Sequence, residues 1–215
     1  MRDMEIRTFA EADRAELREL FGRAGQGAPS ESLWGHQESE AAVYLTPYMD
    51  LEPDSLFVAV IDKALAGYLC GCLDSRAFPS ESRRIEEAIK KYRLMLRPKP
   101  ALFFARGLLD VAFSAIRRRP TETDFDDPRW PAHLHINVIP QGRSAGVGAA
   151  LMNKWFARLK ETGSQGCYLQ TLVQNDRAVR FFERMGFEKY GPTPLVPGLR
   201  YHGKPVHQQT MVWSR

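Results

Sequence analysis

The stretch that most constrains the fold is residues 138–148, VIPQGRSAGVG, where an apolar run enters a turn of small residues and then an amphipathic helical pattern. Small residues let the main chain approach an anion closely. The first turn of a helix carries free N–H groups at the positive end of the helix dipole. The stretch therefore predicts a phosphate cradle between a strand and a helix. Glycine also serves tight packing in such turns, so both roles are open at this point.

A second pattern, residues 175–187 (NDRAVRFFERMGF), follows one predicted strand later. Together the two segments resemble the GNAT superfamily of N-acetyltransferases. The first matches the family's acetyl-CoA signature through Arg143, Gly146 and Gly148. The second matches its Asn, Ala, paired-aromatic and Gly-Phe pattern, at Asn175, Ala178, Phe181, Phe182, Gly186 and Phe187. The resemblance implies acetyl-CoA as co-substrate and no metal.

The resemblance also implies which residues hold the co-substrate. The main chain of Val138 would pair with the pantetheine arm, and Asn175 would hydrogen-bond the same arm while capping a helix. The main chain of the turn would hold the pyrophosphate, through Arg143, Ser144, Ala145, Gly146, Val147 and Gly148. Phe182 stands where many members carry the tyrosine that protonates the leaving thiolate.

Acetyl transfer to an amine needs a base, hydrogen-bond donors for the developing oxyanion, and a proton for the thiolate. The polar face of the fourth predicted strand offers His133 and His135, whose ordinary pKa of about 6.5 suits proton abstraction. Either histidine also fits a buried, hydrogen-bonded role in the sheet. We expect His135 to be the base, with His133 second. Tyr201, near His202 and His207 in the predicted closing loop, is the candidate acid.

Phenylalanine cannot donate a proton, so Phe182 leaves three possibilities open for the leaving thiolate and for turnover. Another group or water serves as the acid, or the thiolate leaves unassisted, which a thiol pKa of about 8.5 allows. In the third, the chain binds acetyl-CoA without turning it over.

Residues 131–140 are also similar to the acetyltransferase-like domain attached to O-GlcNAcase, in which an Asp often stands where Asn137 is here. That similarity adds weight to the non-catalytic reading.

The periodicities predict an α/β (α+β) fold, a GNAT-like mixed and mostly antiparallel twisted sheet flanked by helices. Residues 1–215 form one predicted domain, with an inserted helical pair at about 75–131 between the third and fourth strands. Predicted strands cover 4–9, 56–61, 65–74, 132–139, 168–173, 187–191 and 209–213, and predicted helices 11–21, 37–45, 146–159 and 176–185.

The second inserted helix carries an apolar stripe, formed by Leu102, Ala105, Leu109, Ala112, Phe113 and Ile116. Pro98 and Pro100 are expected to separate it from the first inserted helix. Three uses fit such a stripe: extension of the core, a dimer surface, or a wall over the acceptor site. A homodimer is therefore one expected assembly.

Composition narrows the classes of function. A net charge of +4 suits an anionic ligand such as CoA. No apolar run approaches the roughly 20 residues that cross a bilayer, and the start of the chain lacks a secretory pattern, so we expect a cytoplasmic protein without membrane contact. Arg117 to Arg119 end a helical pattern without any base-reading motif, which disfavours nucleic acid. Cys70, Cys72 and Cys167 lie in predicted strands without metal-ligand spacing and are expected to be reduced core thiols.

These observations predict an acetyl-CoA-dependent N-acetyltransferase that acts on a primary amine by direct attack in a ternary complex. A small-molecule amine is the expected acceptor ahead of a protein. The alternative is a catalytically silent acetyl-CoA-binding or interaction module. A dinucleotide-dependent oxidoreductase is disfavoured, because the cradle comes late in the chain and lacks the strand–helix repeats of a Rossmann fold.

Overall fold

The structure is a computed structural model that describes residues 4–24, 29, 33–121, 124–143 and 145–215. Its strands are β1 Met4–Thr8, β2 Leu56–Ile61, β3 Ala64–Cys72, β4 Ala132–Val138, β5 Gly166–Leu172, β6 Glu188–Tyr190, β7 Leu195–Tyr201 and β8 Lys204–Ser214. Its helices are α1 Arg14–Ala24, α2 Gln37–Tyr44, α3 Thr46–Leu51, α4 Glu81–Tyr92, α5 Pro98–Ile116, α6 Val147–Glu161 and α7 Asp176–Arg184.

The strands form one sheet in the order β1-β2-β3-β4-β5-β8-β6, and β7 pairs with β8 outside this path. Neighbouring strands are antiparallel except β4 and β5, which are parallel. Helices cover both faces: α1 and α3 pack on one, and α6 and α7 pack on the other. The predicted fold class, a mixed and mostly antiparallel sheet flanked by helices, is confirmed.

The two parallel strands separate soon after they meet. Their pairing is limited to Ala132 with Cys167 and His133 with Tyr168, although β4 continues to Val138 and β5 to Leu172. On its other edge, β4 stays paired with β3 as far as Val138. Beyond His133, the main chain of β4 that faces β5 therefore lacks a partner strand, and the sheet opens into a wedge-shaped cleft.

Alternation along β4 sends its side chains to two environments. His133 and His135 lie level with Cys72 and Cys70 of β3, on the face covered by α1 and α3. Leu134 lies on the opposite face, in the core built around the fully buried Trp155 of α6. The cysteines are free and buried, as expected for core thiols.

The insertion contains the two predicted helices, α4 and α5, but its prolines lie elsewhere than expected. Pro98 and Pro100 belong to the first turn of α5, where a missing N–H costs nothing. The predicted apolar stripe of α5 does not extend the core, since Leu102 and Leu109 are each 59% exposed. The helix packs on β7 through its opposite face instead.

Two elements escaped prediction. The short helix α3 follows α2 directly, and β7 occupies part of a segment expected to be a proline-rich loop. Strand β7 lies off the main path of the sheet, where proline is tolerated. Within the described part of the chain, no helix is long and apolar enough to cross a membrane.

Candidate functional site

The turn between β4 and α6 ends in an exposed helix N-terminus. A short 3-10 turn at Pro140–Gly142 leads to Gly146, which caps α6 with a φ of +80°. The first intrahelical bond runs from the Ala150 N–H to the Gly146 carbonyl. The N–H groups of the first helical turn, from Val147 onward, therefore have no acceptor carbonyl within the helix. They point out of the N-terminal end of α6, toward the turn that follows β4. This arrangement can bind an anion.

The two glycines of the signature have different local roles. A Cβ on Gly146 would meet open space, whereas its positive φ favours glycine. A Cβ on Gly148 would lie 3.1 Å from the ring of Phe181, so this glycine lets α7 pack closely on α6. The packing role of the turn is therefore observed at Gly148, and its role as a phosphate cradle stays a prediction. Ser144, which sequence analysis placed in the cradle, lies outside the described residues.

The Arg143 side chain ties the turn to its surroundings. Its guanidinium donates to the Val138 carbonyl at 3.0 Å and to the Ala24 carbonyl at 2.9 Å. Partial burial lowers the pKa of Arg143, and the positive charge of Arg177 lowers it further. Arg177, in the first turn of α7, is therefore close enough to add positive potential beside the turn. Sequence analysis missed Arg177, whose only signal is its position two residues after Asn175.

Asn175 caps α7, because its Oδ1 accepts the Ala178 N–H at 3.2 Å. Its Nδ2 has no hydrogen-bond partner among the residues that the structure describes, which leaves a donor beside the cleft. Phe182 is 6% exposed and packs against Phe181 and Phe187. The position that the family resemblance predicts for the proton donor therefore holds a buried apolar ring.

His133 is held at both ring nitrogens. Its Nε2 lies 2.8 Å from the Tyr48 hydroxyl and its Nδ1 lies 2.6 Å from the Ser75 hydroxyl. Burial lowers the pKa of His133 well below its ordinary value, and the positive charges of His135 and Arg84 lower it further. Its imidazole is neutral at pH 7 and its position is set by two hydroxyl groups.

His135 lies beyond the point where β4 leaves β5. Its partly buried ring stands edge-on to those of Tyr48 and Tyr44, with centroids 5.6 Å and 6.3 Å away. Burial lowers the pKa of His135 to about 4, with a further contribution from Arg84. The imidazole is therefore neutral at pH 7 and able to accept a proton, although it is a weaker base than an ordinary histidine.

Glu81, the first residue of α4, adds a carboxylate that sequence analysis did not single out. The Tyr44 hydroxyl donates to its Oε1 at 2.6 Å, and the Tyr44 ring is the one that faces His135. Burial raises the pKa of Glu81. In the sequence, Glu81 is marked only by its position at the start of a helix. Ser80 caps this helix, α4, by accepting a hydrogen bond from the Arg83 N–H.

The structure does not bring Tyr201 to the two histidines. His133 is level with Tyr168 of β5, which lies opposite Val212 of β8, whereas Tyr201 lies opposite Lys204. The separation of eight residues between Lys204 and Val212 of β8 corresponds to about 26 Å along a strand. The Tyr201 ring packs against His202, with centroids 4.1 Å apart, at the end of the β7–β8 hairpin.

The two depressed histidine pKa values predict sensitivity to acid. Both imidazoles bind protons more readily in the unfolded chain, so unfolding takes up protons once the pH falls below about 6.5. Stability is thus lost as the pH decreases: between pH 7 and pH 5, His135 alone, with its pKa of about 4, should reduce the free energy of unfolding by about 2 kcal/mol, and His133 acts in the same direction. Urea denaturation at both pH values checks this, and His135→Gln should reduce the difference by about 2 kcal/mol. An unchanged difference in that variant would contradict the pKa of His135.

The opened β4–β5 cleft, with a helix N-terminus at the end of β4, defines a GNAT-type acetyltransferase fold. Residues 15–187 match the model of the Acetyltransferase (GNAT) family, and the chain belongs to this family. An uncharacterized N-acetyltransferase from Methanocaldococcus jannaschii is 38% identical over 64 residues, which are 29% of this chain. The match spans only 28% of that relative.

Solved structures share the fold over nearly the whole chain. The putative acetyltransferase yncA from Salmonella typhimurium, solved with its cofactor acetyl-CoA, is 14% identical with a TM-score of 0.59, covering 98% of this chain and 93% of its own. A polyamine N-acetyltransferase from Drosophila melanogaster, which forms N-acetylagmatine, is 17% identical with a TM-score of 0.59. The match covers 99% of this chain and 100% of that structure. The narrower similarity to the O-GlcNAcase-linked domain stays a prediction.

Proposed function

We propose that this protein transfers an acetyl group from acetyl-CoA to a primary amine of a small molecule, with both substrates bound together. The observation that carries the proposal is the cleft itself. An unpaired edge of β4 leads directly to an anion-binding helix N-terminus, so an extended amide chain ending in a pyrophosphate fits both parts at once.

The residues around the cleft fit acetyl-CoA in detail. The main chain of β4 up to Val138 would pair with the pantetheine amides, and Asn175 Nδ2 would donate to the same arm. The pyrophosphate would take the N–H groups at the start of α6, through Gly146, Val147 and Gly148, with Arg143 and Ala145 beside it. Arg177 adds positive charge beside this site.

When bound, the thioester supplies an activated acetyl group. Glu81 would hold the ammonium form of the acceptor and take its proton, because burial makes this carboxylate more basic than an ordinary glutamate. His135 would line the path as a neutral acceptor, so that Glu81 joins the histidine predicted from the sequence as a candidate base. His133, held by Tyr48 and Ser75, would keep the pocket wall in place.

Phe182 excludes water beside the sulfur but supplies no proton. The thiolate would then leave unassisted or take its proton from water, since a thiol is a fair leaving group. Tyr201 can serve as the acid only if the β7–β8 hairpin moves, because the end of this hairpin, where Tyr201 lies on β7, is far from the histidines.

The side chains around His135 favour a cationic amine. The rings of Tyr44 and Tyr48 lie edge-on to His135, and the carboxylate of Glu81, the first residue of α4, accepts a hydrogen bond from the Tyr44 hydroxyl. Aromatic faces and a carboxylate bind an ammonium group.

The second candidate is a silent acetyl-CoA-binding module, which the apolar Phe182 favours. Release of CoA thiol with a panel of amines, beside calorimetric titration of CoA, separates the two. Turnover with intersecting initial-rate lines is the expected result and indicates a ternary complex. CoA binding without turnover on any amine favours the silent module, and absence of CoA binding overturns both.

A further inference from the structure

The outward face of α5 consists entirely of apolar residues. Between positions 102 and 116, every exposed residue is apolar: Leu102, Ala105, Leu108, Leu109, Val111, Ala112, Phe113, Ala115 and Ile116. The large ones among them are 44% to 78% exposed. A surface helix ordinarily carries charged and polar residues on its outer side. This face, which we call the α5 face, is exposed although its composition is typical of a buried surface.

The α5 face cannot turn inward, because its opposite side is anchored. Asp110 accepts two bonds from Arg200 at 2.6 Å and 2.7 Å and a third from the Gly198 N–H at 2.8 Å. Gly107 lies directly against Pro197 and Gly198 of β7. The exposed orientation of the apolar residues is therefore built into the packing of the helix.

The spacing of the α5 face indicates what covers it. Leu102, Leu109 and Ile116 recur every seven residues, and Ala105 and Ala112 recur with the same period between them. These are the a and d positions of a heptad, in which side chains of one helix insert between those of another. Alternation of large and small residues suits a second helix carrying the same pattern, whereas a lipid surface has no need of it.

We propose that two copies of this chain form a homodimer through their α5 faces, packed antiparallel about a two-fold axis. In this arrangement Leu109 of each copy lies opposite an alanine of the other, so large side chains meet small ones in both directions. The exchange is symmetric because both helices carry the same heptad. The interface is separate from the β4–β5 cleft and does not depend on acetyl transfer.

The exposed apolar area matches what a stable dimer needs. Each large side chain carries on the order of 100 Å² of apolar surface. Met95 and Leu96, 50% and 80% exposed, extend the α5 face before the helix begins. The eight large side chains together approach the roughly 800 Å² per partner of a standard interface and exceed the roughly 300–600 Å² patch of a typical monomer.

Charges at the ends of α5 distinguish a second copy from an anionic membrane. Arg97 and Lys99 lie at the start of α5, and Arg117, Arg118 and Arg119 follow its end. An antiparallel dimer brings these basic ends together at its rim, so added salt should strengthen association by screening the repulsion. Binding to an anionic bilayer would instead weaken with salt.

The test is sedimentation velocity of the full chain at micromolar concentration. Wild type is expected at twice the 24.5 kDa of one chain, and more completely so at high salt. Leu109→Glu should be monomeric, with dissociation increased at least about 10²-fold, because two buried carboxylates would face the apolar partner. The matched control is Leu51→Glu, since Leu51 is 57% exposed but lies at the end of α3. It should remain dimeric.

A short bismaleimide cross-linker provides a second readout that does not depend on a disruptive charge. Leu109→Cys is expected to cross-link to its copy in high yield, and Leu51→Cys is not; the native cysteines are buried. A monomeric wild type, a dimeric Leu109→Glu, or equal cross-linking of the two cysteine variants would overturn the proposal. So would salt-sensitive binding to phosphatidylserine vesicles that Leu109→Glu abolishes while the free protein stays monomeric.

Discussion

Replacing Glu81 by glutamine is expected to lower the rate of acetyl transfer about 10²–10⁴-fold, with little change in the affinity for CoA. The amide keeps the size of the side chain and its bond with Tyr44, but it can neither hold an ammonium ion nor accept a proton. Because burial raises the pKa of Glu81, the wild-type rate should fall as the pH decreases through that raised value, when the carboxylate becomes protonated. This acid limb should be absent from the variant.

Two comparisons make the Glu81 prediction specific. Glu87→Gln changes an exposed carboxylate on the same helix that pairs with Arg83, and it should leave the rate unchanged. His135→Ala should slow the reaction less than Glu81→Gln does if the carboxylate takes the proton. A larger loss in His135→Ala, or an unaltered Glu81→Gln enzyme, would return the role of base to the histidine. Steady-state kinetics over a range of pH provides the measurement.

Ala149→Glu is expected to weaken CoA binding at least about 10²-fold without destabilising the fold. Ala149 is the third residue of α6, a position from which a glutamate reaches back to the free N–H groups of the first turn. The carboxylate would satisfy these groups and stabilise the helix by about 0.3–1 kcal/mol. It would also occupy the position proposed for the pyrophosphate and repel the negative charge of that group.

A variant with a more stable fold but a weaker affinity for CoA would identify the phosphate cradle. Isothermal titration with CoA measures the affinity, and thermal unfolding measures the stability. The control is Thr162→Glu, which adds the same charge at the other end of α6 and should leave CoA binding unchanged. If Ala149→Glu binds CoA as wild type does, the pyrophosphate is held elsewhere and the proposed site is misplaced.

The two experiments also separate the competing functions. A silent module would lose CoA binding in Ala149→Glu but show no rate for Glu81→Gln to change. An enzyme would respond to both. The dimer proposed through α5 is independent of either outcome, since Leu109 lies on the outer side of the insertion, away from the β4–β5 cleft.

Local signals in the sequence were sufficient for much of the fold. The apolar run at β2, Leu56–Ile61, matches its predicted bounds, and α7 differs from prediction by one residue, because each has a clear period and clear end signals. The turn before α6 was visible for the same reason. Strand β7 was hidden, because its proline and glycine, Pro197 and Gly198, indicate a loop until pairing with β8 is known.

The sequence by itself determined the order of most elements, the family and the turn before α6, since these depend on short-range patterns that each segment carries alone. Only the tertiary structure decided that β4 and β5 part after His133, that Tyr48 and Ser75 hold His133, and that Glu81 lies one aromatic ring from His135. It alone showed the stripe of α5 facing outward. Such facts depend on which distant segments meet, and the free energy of burial is set by the whole packed chain rather than by any single segment.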